Sequence, residues 1–237
     1  GFSLSIKKGD LWSIIGPSGC GKSPFLYFIT RLIKSDSGTI SIDSEISNRP
    51  RPQTGLVLQD HGLLPWSTVQ KNVDLGLTIR KFYGPDGLHA PSGSKLDKNA
   101  EKRIVDYWLQ RLGIAELKDK YPSQMSRGQR QRTALARTLA LSPDLLLMDE
   151  PFSALDAPTS KDLQDLIVEL NRERDLTCVT VTHNIEEAVF MGRKILILGK
   201  TTNRKPEIIS NLSATDFRHK SFQVMCAKIR TKLEKST

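Results

Sequence analysis

The most distinctive chemistry lies in a glycine-rich run that ends in a lysine and a serine. Gly16-Pro-Ser-Gly-Cys-Gly-Lys22-Ser23 fits the pattern G-x-x-x-x-G-K-[ST], between the apolar run Leu11 to Ile15 and the helical pattern Phe25 to Ile33. Glycines let backbone N–H groups converge on an anion, and the start of the next helix adds positive potential. A merely structural glycine-rich turn needs neither the lysine nor so many glycines.

This segment therefore predicts a site for the phosphates of ATP. Lys22 would reach the terminal phosphates and stabilise their charge during hydrolysis, and the Ser23 hydroxyl would ligate magnesium. The predicted nucleotide-contacting residues of the segment are Gly16, Pro17, Ser18, Gly19, Cys20, Gly21, Lys22, Ser23 and Pro24.

Two carboxylates follow a second apolar run. Asp149 and Glu150 come directly after Leu145 to Met148, where burying them is costly unless a cation or a proton transfer accompanies them. We assign Asp149 to the magnesium shell, and Glu150 to orienting the attacking water or accepting a proton from it. A solvated pair of carboxylates at a strand end is the structural alternative.

Three further positions could complete such a site. Ser126-Arg-Gly-Gln129 has the spacing of a capping box for the helix that follows, and Gly128 in its first turn would let an anion approach closely. Gln59 ends one apolar run and His183 follows another, so a glutamine could position magnesium or water and an imidazole could stabilise a terminal phosphate. Each of these residues, taken alone, could equally well have a purely structural role.

The elements that would position these residues alternate along the chain. The predicted buried strands are Leu11 to Ile15, Gly55 to Leu58, Leu145 to Met148, Cys178 to Val181 and Ile195 to Leu198, with helical patterns between most of them. This alternation predicts an α/β fold with a mostly parallel sheet, whose ligands lie beyond the carboxyl ends of the strands.

The strand signals disappear between Thr68 and Leu141. Helical patterns replace them at Val69 to Arg80, Ala100 to Leu112 and Gly128 to Leu141, and Tyr83 to Ser94 has the composition of a surface loop. We therefore expect a single domain in which 1–67 and 142–199 form a catalytic α/β core, 68–141 an inserted helical subdomain and 200–237 a basic C-terminal extension.

Charge and cysteine usage set broader limits. The net charge of +9 lies mostly in residues 200–237, which carry nine Lys and Arg against three Asp and Glu. Such a tail could be a solvated amphipathic helix, or one that docks on a partner or on a lipid surface. No apolar run is long enough to span a bilayer. Three widely spaced cysteines favour a reducing compartment over a disulfide framework.

Taken together, these motifs resemble the ATP-binding subunit of an ABC transporter from about Phe2 to about Leu198. GPSGCGKS resembles the family's phosphate loop, Gln59 its Q-loop, Ser126 to Gln129 its signature, and His183 its switch histidine. Ser153-Ala-Leu-Asp156 resembles its D-loop, which adds Asp156 to the nucleotide contacts. The runs Gly62 to Trp66 and Ile185 to Met191 look like the importer branch for nitrate, sulfonate and taurine.

The resemblance implies an assembly as well as a reaction. It implies a P-loop NTPase fold, ATP with Mg²⁺, and a head-to-tail homodimer in which Ser126, Gly128 and Gln129 contact the nucleotide of the other subunit. Membrane-spanning permease subunits would dock near Gln59 to Trp66, a periplasmic or surface solute-binding protein would act indirectly, and no nucleic acid is expected. The chain would lie peripherally on the cytoplasmic face of the cell membrane.

Several residues depart from the family pattern. Pro24 stands where Thr or Ser usually approaches the α-phosphate, Arg127 replaces a signature glycine, and Asn184 stands where Asp commonly follows the histidine. The family's adenine-stacking aromatic would lie upstream of Gly1, so we expect a first strand there.

The sequence thus favours an ATP-hydrolysing motor subunit of an importer for a small anionic solute such as nitrate, sulfonate or taurine. The alternative is a degenerate regulatory subunit that binds nucleotide and hydrolyses little of it, because the departures above weaken the nucleotide site.

Overall fold

The computed structural model describes residues 3–83, 97–153, 155–199, 207–211 and 220–235, with the backbone alone for 81–83 and 235. Its elements are β1 (Leu11–Ile15), α1 (Lys22–Ile29), β2 (Ser41–Ile42), β3 (Glu45–Ile46), β4 (Thr54–Val57), α2 (Val69–Tyr83), α3 (Lys98–Arg111), α4 (Arg127–Leu139), β5 (Leu145–Asp149), α5 (Ala157–Arg174), β6 (Thr177–Thr182), α6 (Ile185–Met191), β7 (Lys194–Ile197), β8 (Glu207–Ser210) and α7 (Lys220–Lys235).

The chain divides into two compact units. The first comprises 1–50 and 145–237, and the second comprises Arg51–Asp144. The second unit therefore includes residues 51–67, which we had expected in the α/β core. Arg51 makes two hydrogen bonds to the carboxylate of Asp144, so a bidentate ion pair joins the two ends of this unit.

A mostly parallel sheet forms the centre of the first unit, so the predicted α/β fold is confirmed. Its strands lie in the order β5-β6-β1-β7-β8, and every neighbouring pair is parallel except β7 with β8. All residues of β1 and β6 are buried, as expected for strands covered on both faces. Asp149 aligns with Val181, and Ile15 with Thr182, so the ends of β5, β1 and β6 meet at one edge of the sheet.

Helix α1 begins and ends earlier than the predicted Phe25 to Ile33. It begins at Lys22, the residue after the left-handed Gly21. It ends at Ile29, because Arg31 adopts a left-handed conformation with φ 60°. The Leu32 N–H then donates to the Tyr27 carbonyl (3.0 Å) and the Arg31 N–H to the Phe28 carbonyl (3.1 Å). These two bonds form a Schellman motif, which stops the helix although the apolar pattern continues.

The basic tail contains helix α7, which packs on α6 of the same unit. Its apolar face is largely covered there, since Phe222, Cys226 and Ile229 are all buried. This face is therefore not free for the lipid surface or the docking partner that its pattern also allowed.

The second unit is built mainly from helices. Val69, Val73 and Leu77 give α2 a buried stripe at helical spacing, and Trp108 and Leu139 are buried on α3 and α4. None of the helices that the structure describes, in either unit, combines the length and the apolar character needed to cross a membrane.

Candidate functional site

The phosphate loop connects β1 to α1, and its backbone explains its glycines. Gly19 and Gly21 have positive φ angles of 81° and 97°, and Gly21 is the left-handed N-cap of α1. At Gly16 a side chain would not fit, since a Cβ there would lie 2.5 Å from the Leu198 carbonyl oxygen. The loop is therefore shaped by conformations that glycine alone adopts easily.

Lys22 lies inside this loop. Only 7% of the residue is exposed, and its ammonium donates to the carbonyl oxygens of Gly16 (2.8 Å) and Pro17 (3.0 Å). The loop's own carbonyls thus satisfy the buried charge and hold it where the phosphates of a nucleotide are predicted to bind.

Pro24 is the third residue of α1. The first intrahelical bond runs from the Phe25 N–H to the Gly21 carbonyl (3.0 Å). In the turn before it, Lys22 and Ser23 carry backbone N–H groups that could face an anion, whereas proline has none. The helix start consequently offers one donor fewer than a residue other than proline would give it.

Ser23 joins the loop to the end of β5. Its hydroxyl donates to Asp149 Oδ1 at 3.0 Å, and the Asp149 side chain is buried. Burial raises the pKa of Asp149; the neighbouring Glu150 acts in the same direction, and the bond from Ser23 opposes them. A bound cation would favour the charged carboxylate.

These two residues fit a magnesium ion. A hydroxyl and a carboxylate are the hard oxygen donors that Mg²⁺ takes from proteins, together with water and substrate phosphates. Ser23 and Asp149 already lie within hydrogen-bonding distance of each other beside the phosphate loop.

Glu150 and His183 form a second pair at the same edge of the sheet. His183 Nδ1 lies 2.6 Å from Glu150 Oε2; the glutamate side chain is 10% exposed and the imidazole 60%. Glu150 has a positive φ of 49°, and its N–H donates to the Val181 carbonyl at 2.9 Å. The chain thus turns sharply after β5 and places the carboxylate against the histidine that follows β6.

The structure therefore brings together six of the predicted residues within the first unit: Gly16, Lys22, Ser23, Asp149, Glu150 and His183. The remaining loop positions, Pro17, Ser18, Gly19, Cys20 and Gly21, lie between β1 and α1, and Pro24 lies in the first turn of α1. The Asp156 carboxylate caps α5 by accepting the Thr159 N–H at 3.3 Å, and its nucleotide contact stays a prediction. Ala154, within the predicted D-loop, lies outside the described residues.

The predicted residues of the second unit have their own local roles. The capping box at the start of α4 is confirmed, because the Ser126 hydroxyl accepts the Gln129 N–H (3.2 Å) and Gln129 Oε1 accepts the Ser126 N–H (2.9 Å). Arg127 is exposed beside it, and Gly128 is half-buried. Gln59 is exposed, two residues beyond the end of β4. Nucleotide contacts by Gln59, Ser126, Gly128 and Gln129 stay predictions.

Sequence reasoning missed the residues that support these side chains. Thr182 and Glu187 are buried beside His183 and hydrogen-bonded to each other at 2.6 Å. Asn72 and Arg137 bind the backbone of the loop that carries Trp66. Acidic residues are common in the first turn of a helix, because they interact favourably with the helix dipole. The sequence therefore gave no reason to single out Glu187.

Comparison with known proteins places these motifs in a family. A family model described as ABC transporter matches residues 1–153. The chain is 34% identical to the aliphatic sulfonates import ATP-binding protein SsuB of Bacillus cereus, over 89% of this chain and 77% of that one. It is 41% identical to SsuB 2 of Agrobacterium fabrum, over 84% and 69%. It is 37% identical to the nitrate import ATP-binding protein NrtC of Synechococcus elongatus, over 91% of this chain and 30% of that relative.

Solved structures give the same result for the fold. A dimeric ATP-binding cassette in a post-hydrolysis state, bound to ADP and Pi, has a TM-score of 0.74 and 31% identity, over 86% of this chain and 87% of that one. The protein cbiO1 of Clostridium perfringens, part of an ABC transporter complex, has a TM-score of 0.73 and 25% identity, over 98% and 87%.

Proposed function

The chain belongs to the ABC transporter family, and on that premise we propose that it is the ATP-binding and ATP-hydrolysing motor subunit of an importer. The observation that carries the proposal is the pairing of Ser23 with Asp149 and of Glu150 with His183 at one edge of the sheet. This arrangement places a cation-binding pair and a proton acceptor beside the phosphate loop.

The reaction is the transfer of the terminal phosphoryl group of ATP to water. The loop and the start of α1 bind the phosphates through backbone N–H groups, and Lys22 balances their charge. Water attacks the γ-phosphorus, Glu150 accepts the proton from that water, and the bond to the ADP oxygen breaks, which leaves ADP and phosphate. His183 holds the Glu150 carboxylate in position through its ring nitrogen.

Magnesium completes the site when it is bound. It would be held by Ser23 and Asp149, with Gln59 as a further predicted ligand, and it would neutralise charge on the phosphate oxygens. The remaining assignments extend this proposal. Ser126, Gly128 and Gln129 contact the nucleotide across a head-to-tail homodimer, and Asp156 is a further nucleotide contact.

We infer the solute and the location by analogy with the relatives. Those described above are named for the import of aliphatic sulfonates and of nitrate, so we take the solute to be a small anion of this kind. The subunit would work with membrane-spanning permeases and, through them, with a solute-binding protein. It would lie peripherally on the cytoplasmic face of the membrane.

Glu150→Gln tests the assignment of the proton acceptor. The variant keeps the shape and a hydrogen-bonding partner for His183, but it is not basic, so we expect ATP turnover to fall by about 10²- to 10⁴-fold while ATP binding persists. Glu186→Gln, on the exposed side of α6, is the matched control and should turn over like the unaltered protein. A Glu150→Gln variant that keeps full ATPase activity would remove Glu150 from this role.

A second candidate function is regulation by a subunit that binds nucleotide and hydrolyses little of it. The observation in its favour is Pro24, which removes one backbone donor from the start of α1. The two functions differ in a single turnover, because a motor subunit converts its bound ATP to ADP and phosphate and a regulatory subunit releases most of it unchanged.

A further inference from the structure

A buried glutamate lies behind the histidine of the site. Glu187, the third residue of α6, is only 7% exposed, whereas its neighbour Glu186 is exposed. Both residues lie in the first turn of the helix, where negative charge is favourable. An exposed carboxylate interacts with the helix dipole as favourably as a buried one. The dipole therefore does not explain why Glu187 is buried, since burial costs the carboxylate its hydration.

The partner of Glu187 is the last residue of β6. Thr182 is fully buried, and its hydroxyl donates to Glu187 Oε2 at 2.6 Å. The same hydroxyl oxygen accepts the N–H of Asn184 at 3.0 Å. A threonine hydroxyl has one hydrogen to give, and Glu187 takes it, so the lone pairs of the oxygen are left to face Asn184.

Asn184 closes the turn from the other side. Its Oδ1 accepts the N–H groups of Glu186 (2.8 Å) and Glu187 (3.2 Å) and so caps α6. The residues before and after His183 are therefore both tied to the start of α6, and the imidazole projects from a closed turn towards Glu150.

The charges in this region are close enough to influence one another. Burial raises the pKa of Glu187, and the neighbouring Glu150 acts in the same direction, whereas the bond from Thr182 and the nearby His183 lower it. Glu187 therefore lies near both members of the Glu150–His183 pair, although its hydrogen bond is to neither.

We propose that Glu187 is a positioning residue for ATP hydrolysis: by fixing the Thr182 hydroxyl, it holds the turn that directs His183 onto Glu150. The inference rests on the proposed function, since it assigns a role within that reaction. Glu187 does not contact the substrate. Its contribution is the orientation of a catalytic side chain, for which a small misplacement can cost as much as about a hundredfold in rate.

Three substitutions separate this role from a merely structural one. Glu187→Ala removes the acceptor, Glu187→Gln keeps an acceptor oxygen without the charge, and Thr182→Val removes the hydroxyl at nearly constant shape. We expect the kcat for ATP to fall about tenfold to a hundredfold in Glu187→Ala and Thr182→Val, with KM within about threefold, and glutamine to restore most of kcat. Glu186→Ala is the matched control and should leave kcat unchanged.

The effect should also depend on His183. In a His183→Ala background, Glu187→Ala is expected to cause little further loss of kcat, because the two changes act on one interaction. A purely structural role predicts that thermal stability falls while the kcat of the folded variant is retained, and that result would overturn the proposal. Equal loss in Glu187→Ala and Glu187→Gln would overturn it too, since the charge and not the hydrogen bond would then matter.

An NMR measurement that needs no ATP turnover tests the role of Glu187 separately from the proposed function. The imidazole ¹⁵N resonances of His183 can be identified by their absence in His183→Ala. In Glu187→Ala they should move towards the values of a free histidine, and in Glu187→Gln they should stay in place. If the unaltered protein hydrolyses no ATP, the proposed function fails, and the NMR result alone decides whether Glu187 positions His183. Unchanged resonances in Glu187→Ala would refute that role.

Discussion

Pro24 is the residue at which the phosphate-loop segment departs from the family pattern, because proline has no backbone N–H to donate to a phosphate. The loop is otherwise complete, with Lys22 inside it and Ser23 bonded to Asp149. Proline fits the first turn of α1 without strain, because the N–H groups there have no intrahelical partner. The residue therefore affects ligand binding more than folding.

Pro24→Thr should tighten ATP binding. Threonine restores a backbone N–H, and one hydrogen bond to a charged oxygen is worth about 1.5–3 kcal/mol, which corresponds to a tenfold to hundredfold lower Kd. Equilibrium titration with a fluorescent ATP analogue measures the difference. Pro50→Thr, at an exposed proline between β3 and β4, is the matched control. An unchanged Kd for Pro24→Thr would show that residue 24 donates nothing to the nucleotide.

Residues that carry chemistry could be identified from the sequence more readily than those that support them. Lys22, Ser23, Asp149 and Glu150 stand in motifs whose residue types and spacing are typical of phosphate and magnesium binding. The bond between Thr182 and Glu187 depends on a contact between a strand end and a helix start, and side chains of these two types usually face solvent. Their burial follows from packing, which a local pattern does not encode.

The loop between β4 and α2 is held by side chains from two helices, α2 and α4. Asn72 on α2 is fully buried; its Oδ1 accepts the Leu64 N–H (2.8 Å), and its Nδ2 donates to the carbonyls of Leu64, Ser67 and Thr68. Arg137 on α4 donates to the carbonyls of His61 (2.8 Å) and Gly62 (2.6 Å). The loop is thus held in place by these bonds while Trp66 within it is 73% exposed, which suits a surface that binds a partner.

Asn72→Ala should destabilise the second unit. The change removes the acceptor of the Leu64 N–H and the side-chain donor to the part-buried carbonyls of Leu64, Ser67 and Thr68. We therefore expect a loss of about 2–3 kcal/mol in the free energy of unfolding. Urea denaturation followed by circular dichroism measures it, with the exposed neighbour Lys71→Ala as control. A loss below about 0.5 kcal/mol would mean that the loop does not depend on this amide.

Strand and helix positions followed from periodicity, whereas several ends did not. The strand β1 has its predicted bounds, β5 extends one residue beyond its predicted end, and β6 extends by one residue at each end. Helix α1 ends early because Arg31 takes a left-handed conformation, which is rare for arginine and invisible to an apolar pattern. The two-residue strands β2 and β3 were not predicted, since segments so short carry no periodicity.

The whole chain consists of two units, and each carries one part of the proposed ATP-hydrolysing site. The first holds the phosphate loop with Asp149, Glu150 and His183, and the second holds Ser126 at the start of α4. In the proposed head-to-tail dimer, each nucleotide contacts the first unit of one copy and the second unit of the other. Two differently altered copies should therefore complement each other.

Mixing Lys22→Ala with Ser126→Arg tests this arrangement. Each variant alone should lose ATPase activity, because each homodimer lacks a required group at both sites. A mixed dimer has one site with an intact Lys22 and an intact Ser126, so activity should return on mixing. The control is each variant mixed with itself at the same total concentration. If the mixture stays inactive although affinity capture of one tagged variant also retains the other, the two groups do not act across the dimer.

The most direct test of hydrolysis by this protein is a single turnover of ATP on the purified chain. With protein and Mg²⁺ in excess over γ-labelled ATP, we predict that all bound ATP becomes ADP and phosphate, and that Glu150→Gln retains its ATP unhydrolysed under the same conditions. ATP that stays intact on the unaltered protein, although it is bound, would contradict the assignment of a hydrolytic motor and favour the regulatory subunit.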